Sequence, residues 1–288
     1  MNVVGDYNKV VANHLIDGIY FGINILGNYA TISNNSIHFA VYDGIRLCEV
    51  YYATIIGNVI RDAWCPITPR RSHHVSIIGN VVEYARQHGA IYLEYGGSHI
   101  EIIGNDLCNC YGPGIQAEAS YEQLTDVIIK GNAIIGNNTE NVAEKGGIWI
   151  HGSNEKHHIM IVGNIIRDNK QQDIIVDSNS YGTVIMFNDF RNSTAPKIIT
   201  DNGIGTIIKG NLGFVTENDG EATIAAGSTY VDVEHGLDIT PDENRIRITP
   251  KDNLNGRNWW ISDVNDTTFR INISSSDTVD HVFGWSYA

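Results

Sequence analysis

Proline and cysteine are scarce in this chain, and cations are outnumbered. Six prolines in 288 residues, against 29 glycines, suit many tight turns and leave no proline-rich linker to divide the chain. The four cysteines, Cys48, Cys65, Cys108 and Cys110, are too few for a disulfide framework at this length. Cys108-Asn109-Cys110 also lacks the two-residue gap of a zinc knuckle. They read as free thiols or packed turn residues and leave the compartment undecided. Lys and Arg number 19 against 33 Asp and Glu, a formal charge of −14. Phosphate-backbone binding needs a clustered basic surface, so no nucleic-acid partner is expected. No apolar run is long enough to span a bilayer, which argues against membrane insertion. No secretory signal is visible, because Met1-Asn2-Val3-Val4-Gly5-Asp6-Tyr7 leads directly into a repeat.

What the chain has in abundance is one short phrase: two or three β-branched residues, a small residue, then Asn. It ends at Asn13, Asn35, Asn58, Asn80, Asn105, Asn132, Asn164, Asn188 and Asn211. Subtracting successive positions gives spacings of 22, 23, 22, 25, 27, 32, 24 and 23. A period in the twenties, with a β run and a turn residue in each copy, marks a solenoid. Each copy carries a second alternating strand, as in Gly18-Ile19-Tyr20-Phe21, Gly44-Ile45-Arg46-Leu47 and Gly147-Ile148-Trp149-Ile150. With no 3.6-residue pattern between them, the strands predict an all-β parallel β-helix of about nine coils. Right-handed winding is expected from the chirality of parallel crossovers. Stacked amides should make the recurring Asn a hydrogen-bonded ladder. The Gly before it should supply a positive φ. Asn34 and Phe187 replace that Gly, so the turns at Asn35 and Asn188 are expected to differ in shape.

The grammar changes after Asn211. Six short alternating strands between Ala222 and Trp285 indicate an antiparallel β-sandwich. The expected domains are therefore 1–213 and 214–288. A solenoid needs a cap on its open end. None precedes the first repeat, which implies that upstream residues have been removed or that a neighbouring chain covers the end.

Through the Ile-Ile-Gly-Asn phrase, residues 9–211 resemble the parallel β-helix of the pectate-lyase-like superfamily, whose members are polysaccharide lyases, glycoside hydrolases, uronate epimerases, esterases and phage tailspikes. Residues 229–288 are similar to a small β-sandwich at the ends of phage tail-fibre and tailspike chains. The residues carrying that likeness are Val233-Glu234-His235-Gly236-Leu237, Arg247-Ile248-Thr249-Pro250, Trp260-Ile261-Ser262 and Phe283-Gly284-Trp285-Ser286-Tyr287-Ala288. The resemblance implies an extracellular or virion-associated setting and a homotrimer. Association through the closing aromatic run is expected to help hold that trimer. No catalytic signature of a lyase or epimerase carries over residue by residue.

The site has to come from the stacking itself. If Ile45, Ile67, Ile91, Ile115, Ile148 and Ile174 point inward, the next residues form an outward column: Arg46, Thr68, Tyr92, Gln116, Trp149 and Ile175. Two residues further lies a second column: Cys48, Arg70, Glu94, Glu118, His151 and Asp177. The catalytic candidates are Glu94, Glu118, His151, Asp177 and Tyr92, with Arg46, Arg70, Gln116 and Trp149 as substrate-binding residues. The partner expected is a polysaccharide substrate or glycan receptor. Adjacent rungs set Glu94 and Glu118 roughly 5 Å apart, the separation of a retaining glycosidase pair, while Glu118 and Asp177, two rungs and roughly 10 Å apart, sit at the long edge of the inverting range. Two like charges so close should raise one pKa and create a general acid. In a lyase, Tyr92 or His151 would take a proton α to a uronate carboxylate that Arg70 or Arg46 neutralises. The plainer alternative is a salt-linked ladder without chemistry, and a glycan-binding spike would use the same groove. The three longest intervals flank this face, between Asn80 and Asn164, where loops on a rigid sheet build sites. The His73-His74, Ser98-His99 and His157-His158 pairs read as turn residues. No metal site or cofactor is expected, apart from a divalent cation if the reaction is a lyase's. In the last domain, alternation turns at least one of Trp259 and Trp260 inward.

Overall fold

The computed structural model describes every residue except Asp17, Ile19 and Glu144. The expected strand Gly18 to Phe21 contains Ile19, which lies outside the described residues. The chain forms two compact units, Met1–Ile208 and Lys209–Ala288. Among the described residues no helix is long and apolar enough to cross a membrane.

The first unit is a solenoid of parallel strands. Each strand pairs with its equivalent one coil later, so side chains at the same offset stack into columns. One inward column runs Ile23, Ile45, Ile67, Ile91, Ile115, Ile148, Ile174 and Ile199 in direct register. A second runs Ile32, Ile55, Ile77, Ile102, Ile129, Ile161 and Ile185. Nearly all of these side chains are inaccessible to solvent. Burying each contributes about 1.5–3 kcal/mol, which only stacking can supply because no coil encloses a core alone.

The recurring Asn closes the corner as a ladder. From Asn13 through Asn164, each Nδ2 donates to the next rung's Oδ1 at 2.9 Å, along Asn13, Asn35, Asn58, Asn80, Asn105, Asn132, Asn164 and Asn188. From Asn35 onward each also donates backwards to a core carbonyl, as Asn105 does to the Ile77 oxygen at 2.9 Å. The preceding Gly is left-handed throughout, for example Gly104 at φ 64°. Asn34 (φ 55°) and Phe187 (φ 56°) adopt the same conformation, so the expectation of different turns there is corrected. The ladder geometry dictates the corner, and a side-chain-bearing residue accepts the strain.

Strands Asp43–Cys48, Cys65–Ile78, Ile91–Ile103, Ile115–Glu118, Gly146–His151, Gln172–Val176 and Lys197–Asp201 form consecutive rungs of one wall. That wall presents the candidate residues.

The second unit is built from two three-stranded antiparallel sheets. One pairs His281–Tyr287 with Asn218–Ile224 and Ile246–Pro250, and the other pairs Thr268–Ile273 with Tyr230–Glu234 and Trp259–Ser262. Phe269, Phe283, Trp285 and Tyr287 fill the core between them. The aromatic residues of the closing run are therefore internal packing of this unit. Trp259 and Trp260 are both exposed, at 42% and 47%, so the expectation that one turns inward fails on a short edge strand.

Candidate active site

Register carries the outward column across the wall: Asn24, Arg46, Thr68, Tyr92, Gln116, Trp149, Ile175 and Thr200 occupy equivalent positions on successive rungs. Two residues on, Cys48 faces Arg70, Arg70 faces Glu94, and Glu118 faces His151. The pair Leu93 and Ala117 directly precedes Glu94 and Glu118, putting those carboxylates on neighbouring rungs. Asp177 follows the pair Ile150 and Val176, and its N–H donates to the Ile150 oxygen. The nine candidate residues thus share one wall, but not in one state of exposure. Tyr92 and Gln116 are buried, at 6% and 4%, covered by their neighbours. Arg46, Arg70, Glu94, Glu118, Trp149, His151 and Asp177 are half-buried.

The contacts divide the wall into two linked clusters. In the first, Arg46 bonds Asp43 at 2.9 Å, while Arg46 and Arg70 each lie 3.7 Å from the Glu94 carboxylate. Arg70 also stacks over the Tyr95 ring. Burial pushes Glu94 above the usual carboxylate range, and the two guanidiniums pull it back only in part. The nearby Glu118 charge is a minor contribution, so desolvation and not like-charge repulsion is the main cause. Burial likewise raises Asp43, whose other oxygen accepts from Thr68 at 3.2 Å.

In the second cluster the Tyr92 hydroxyl donates to Glu118, and so does Ser120. Burial and that bond push the Tyr92 pKa upward. His151 meets Gln116 at 3.1 Å through Nε2 and stacks on Trp149 at 3.6 Å. Burial lowers its pKa to about 4, against the pull of Glu118, so the imidazole is neutral near pH 7. The strand carrying His151 ends at that residue, and the following Gly152 has a φ of 113° and a close approach to the Ala119 backbone that admit no side chain.

Two hollows flank the Glu94–Glu118 pair. One, of about 150 Å³, is lined by Tyr42, Asp43, Arg46, Trp64, Cys65, Thr68, His88, Tyr92 and Glu94. The other, of about 390 Å³, is lined by Ala143, Trp149, Gln172, Ile175, Asp177, Thr200 and Asn202. Beside it the insertion after Asn137 is tied by Asn138, which donates to the Val142 and Lys145 oxygens at 2.9 and 2.7 Å.

Sequence reasoning missed Asp43, His88, Ser120 and Lys156. Asp43 sits two residues before the inward Ile45, in register with Cys65, and a third column at that offset would have found it. His88 stacks on Tyr92 at 4.7 Å from a corner. Lys156 is fully buried and donates to the Gly152 oxygen at 2.7 Å, with Asp177 countering the burial that lowers its pKa. The histidine pairs lie within strands and not in turns as expected, forming a separate column in which exposed His74 stacks on His99 at 4.5 Å and His158 meets Asp126 at 3.0 Å. Among the described residues no group of three His, Cys, Asp or Glu is arranged to hold a metal ion.

No curated protein sequence matches the chain. Among solved structures it is similar to a mutant of the periplasmic alginate epimerase AlgG, with TM-score 0.53, 13% identity, and coverage of 71% of this chain and 50% of that one. DFA-IIIase from Arthrobacter chlorophenolicus A6 gives TM-score 0.50 and 14% identity, with coverage of 69% and 53%. ORF18 of Geobacillus virus E2 gives 0.54 and 11%, with coverage of 96% and 67%. The chain spans about half the length of the first two, and at these identities the likeness is one of fold. The model of the right handed beta helix region matches residues 2–159, more than half of the sequence. The chain belongs to the right-handed β-helix family.

Proposed function

We propose that this chain hydrolyses glycosidic bonds of a polysaccharide laid along the wall, with Glu94 as acid and Glu118 as nucleophile. The observation that carries the reading is a pair of carboxylates from consecutive rungs in unlike surroundings. Glu94 is desolvated and holds its proton above the usual carboxylate range. Glu118 accepts hydrogen bonds from two hydroxyls, which orient it toward the groove. A rung spacing of about 4.8 Å fits the roughly 5–5.5 Å of a retaining pair. The Glu94 proton would pass to the glycosidic oxygen as its bond to the anomeric carbon breaks, and a Glu118 oxygen would bond that carbon. Water would then break the resulting ester, giving its proton to Glu94 and its hydroxyl to the sugar.

The contacts favour hydrolysis over β-elimination. Arg46 is bonded to Asp43, and both arginines lie against Glu94, so each already answers a carboxylate of the protein. Tyr92 donates its proton to Glu118 and has a raised pKa, which makes it a poor base at neutral pH. A polysaccharide ligand agrees with the alginate epimerase among the structures of similar fold. A non-catalytic glycan-binding spike is the second reading; the viral chain of similar fold spans 96% of this one. An extracellular or virion-borne setting accompanies either reading.

The deciding experiment incubates the purified chain with a panel of neutral and acidic polysaccharides. New reducing ends without the ultraviolet absorbance of an unsaturated uronate are expected. Absorbance without the Glu118 dependence given below would move the assignment to a lyase. No digestion of any member would leave only binding.

A further inference from the structure

We infer that the hollow beyond Glu118, lined by Trp149, Gln172, Asp177, Thr200 and Asn202, is a subsite for an uncharged sugar residue of the polysaccharide. The inference deepens the glycan reading above and rests on it. Position comes first. Trp149, Ile175 and Thr200 continue the column of Tyr92 and Gln116 on the next three rungs. The hollow therefore begins about 5 Å past Glu118 along the solenoid axis, where the next unit of a chain lying in the groove would sit. At about 390 Å³ it is the larger of the two hollows on this wall, within the range of about 300–1,000 Å³ usual for small-ligand sites.

The chemistry of the lining selects the ligand. Trp149 and Ile175 supply an apolar wall for the C–H face of a ring. Three lining residues carry a buried polar atom that no group of the protein bonds: Trp149 Nε1, Gln172 Oε1 and Thr200 Oγ1. Buried polar atoms ordinarily have partners, and three such atoms around one hollow point to a ligand that supplies them. Trp149 Nε1 can only donate and Gln172 Oε1 can only accept, so the matching group must both accept and donate. A sugar hydroxyl does both. No lining residue is Lys or Arg among those described, and the charged side chain of the lining is the carboxylate of Asp177. The Lys156 ammonium is buried below, bonded to the Gly152 oxygen, and acts on Asp177 without reaching the hollow's lining. A uronate carboxylate there would find no cation among the described lining residues, while the hydroxyls of a hexose or N-acetylhexosamine would meet the orphaned atoms.

The test is binding of the full chain, as wild type and as Glu118→Gln, to an array of neutral hexose, N-acetylhexosamine and uronate oligomers. Retention on at least one neutral class, with tenfold or weaker retention on uronates, is expected. Trp149→Ala should cut that retention at least tenfold. Thr200→Val, nearly isosteric and not dependent on the Trp149–His151 stack, should cut it several-fold with an unchanged melting temperature. Preferential binding of uronates, no binding to any neutral class, or wild-type retention by both variants would overturn the inference. If neutral oligomers bind through Trp149 but nothing is cleaved, hydrolysis fails and the subsite stands. If a glycan is cleaved and both variants bind and cleave as wild type, the subsite fails and hydrolysis stands.

Discussion

Two columns of side chains run along the same solenoid, and they obey opposite rules. The Asn ladder repeats one residue rung after rung, and Asn105 gives and receives hydrogen bonds on both sides. The column from Arg46 to Thr200 changes residue at every rung and leaves Trp149 and Thr200 with unmet polar atoms. Both recur once per coil and stack in register, the ladder at a corner beside the Ile32 to Ile185 column and the other on extended strands beside the Ile23 to Ile199 column. Repetition of one residue serves the fold because each amide completes the next. Variation on a regular frame builds no repeating ladder; its members pair instead with unlike neighbours, as Tyr92 does with Glu118 and Gln116 with His151.

The largest effect should come from the equally varied column two residues further on, which holds Glu94, Glu118 and His151. Glu118→Gln keeps the shape of a half-buried group and should lower turnover about 10⁴-fold or more, on the order of 5 kcal/mol of transition-state stabilisation, with little change in melting temperature. Full activity would assign the column to packing. Next, Asn105→Ala should cost about 1–3 kcal/mol in denaturant unfolding, because it strands the Ile77 carbonyl and the Asn80 side-chain amide in a dry interior. A variant as stable as wild type would end the ladder's role.

A third effect is electrostatic. The folded pKa of His151, about 4, lies below its unfolded value near 6.5, so the unfolded chain binds the extra proton between these values. The stability linked to neutral His151 is present above about pH 6.5 and is lost as pH falls toward 4. Glu118 favours the charged ring, while Lys156, His88 and Lys145 oppose it. Replacing His151 with Gln should flatten the acid side of the stability profile over that window; an unchanged slope would mean the ring is not buried as neutral. The smallest effect belongs to the corner. Phe187 is exposed and left-handed, so Phe187→Gly should stabilise by under about 1 kcal/mol, the αL relief being offset by the added freedom of the unfolded chain. Destabilisation would show that the Phe ring itself packs.

Much of the fold was legible because the Ile-Ile-Gly-Asn phrase states its own register: once Ile91 and Ile115 are aligned, every neighbouring pair follows. Conformation at Asn34 and Phe187 was not legible, since a corner held by the ladder overrides the preference of a single residue. On the wall, offset from the inward isoleucines located Glu94, Glu118 and His151 but said nothing of cover. Tyr92 and Gln116 are buried because long neighbours close over them, a property of side-chain reach and not of alternation. Asp43 escaped notice at a different offset, and Lys156 because a buried lysine aimed at a turn carbonyl leaves no trace in a pattern.

The central claim is that two carboxylates on neighbouring rungs do the chemistry, and the anomeric configuration of the first product tests it most directly. Proton NMR of a digest, read before mutarotation, should show retention of configuration, as a pair about 5 Å apart requires. Inversion would demand a wider pair with water between, and would contradict the assignment of Glu94 and Glu118.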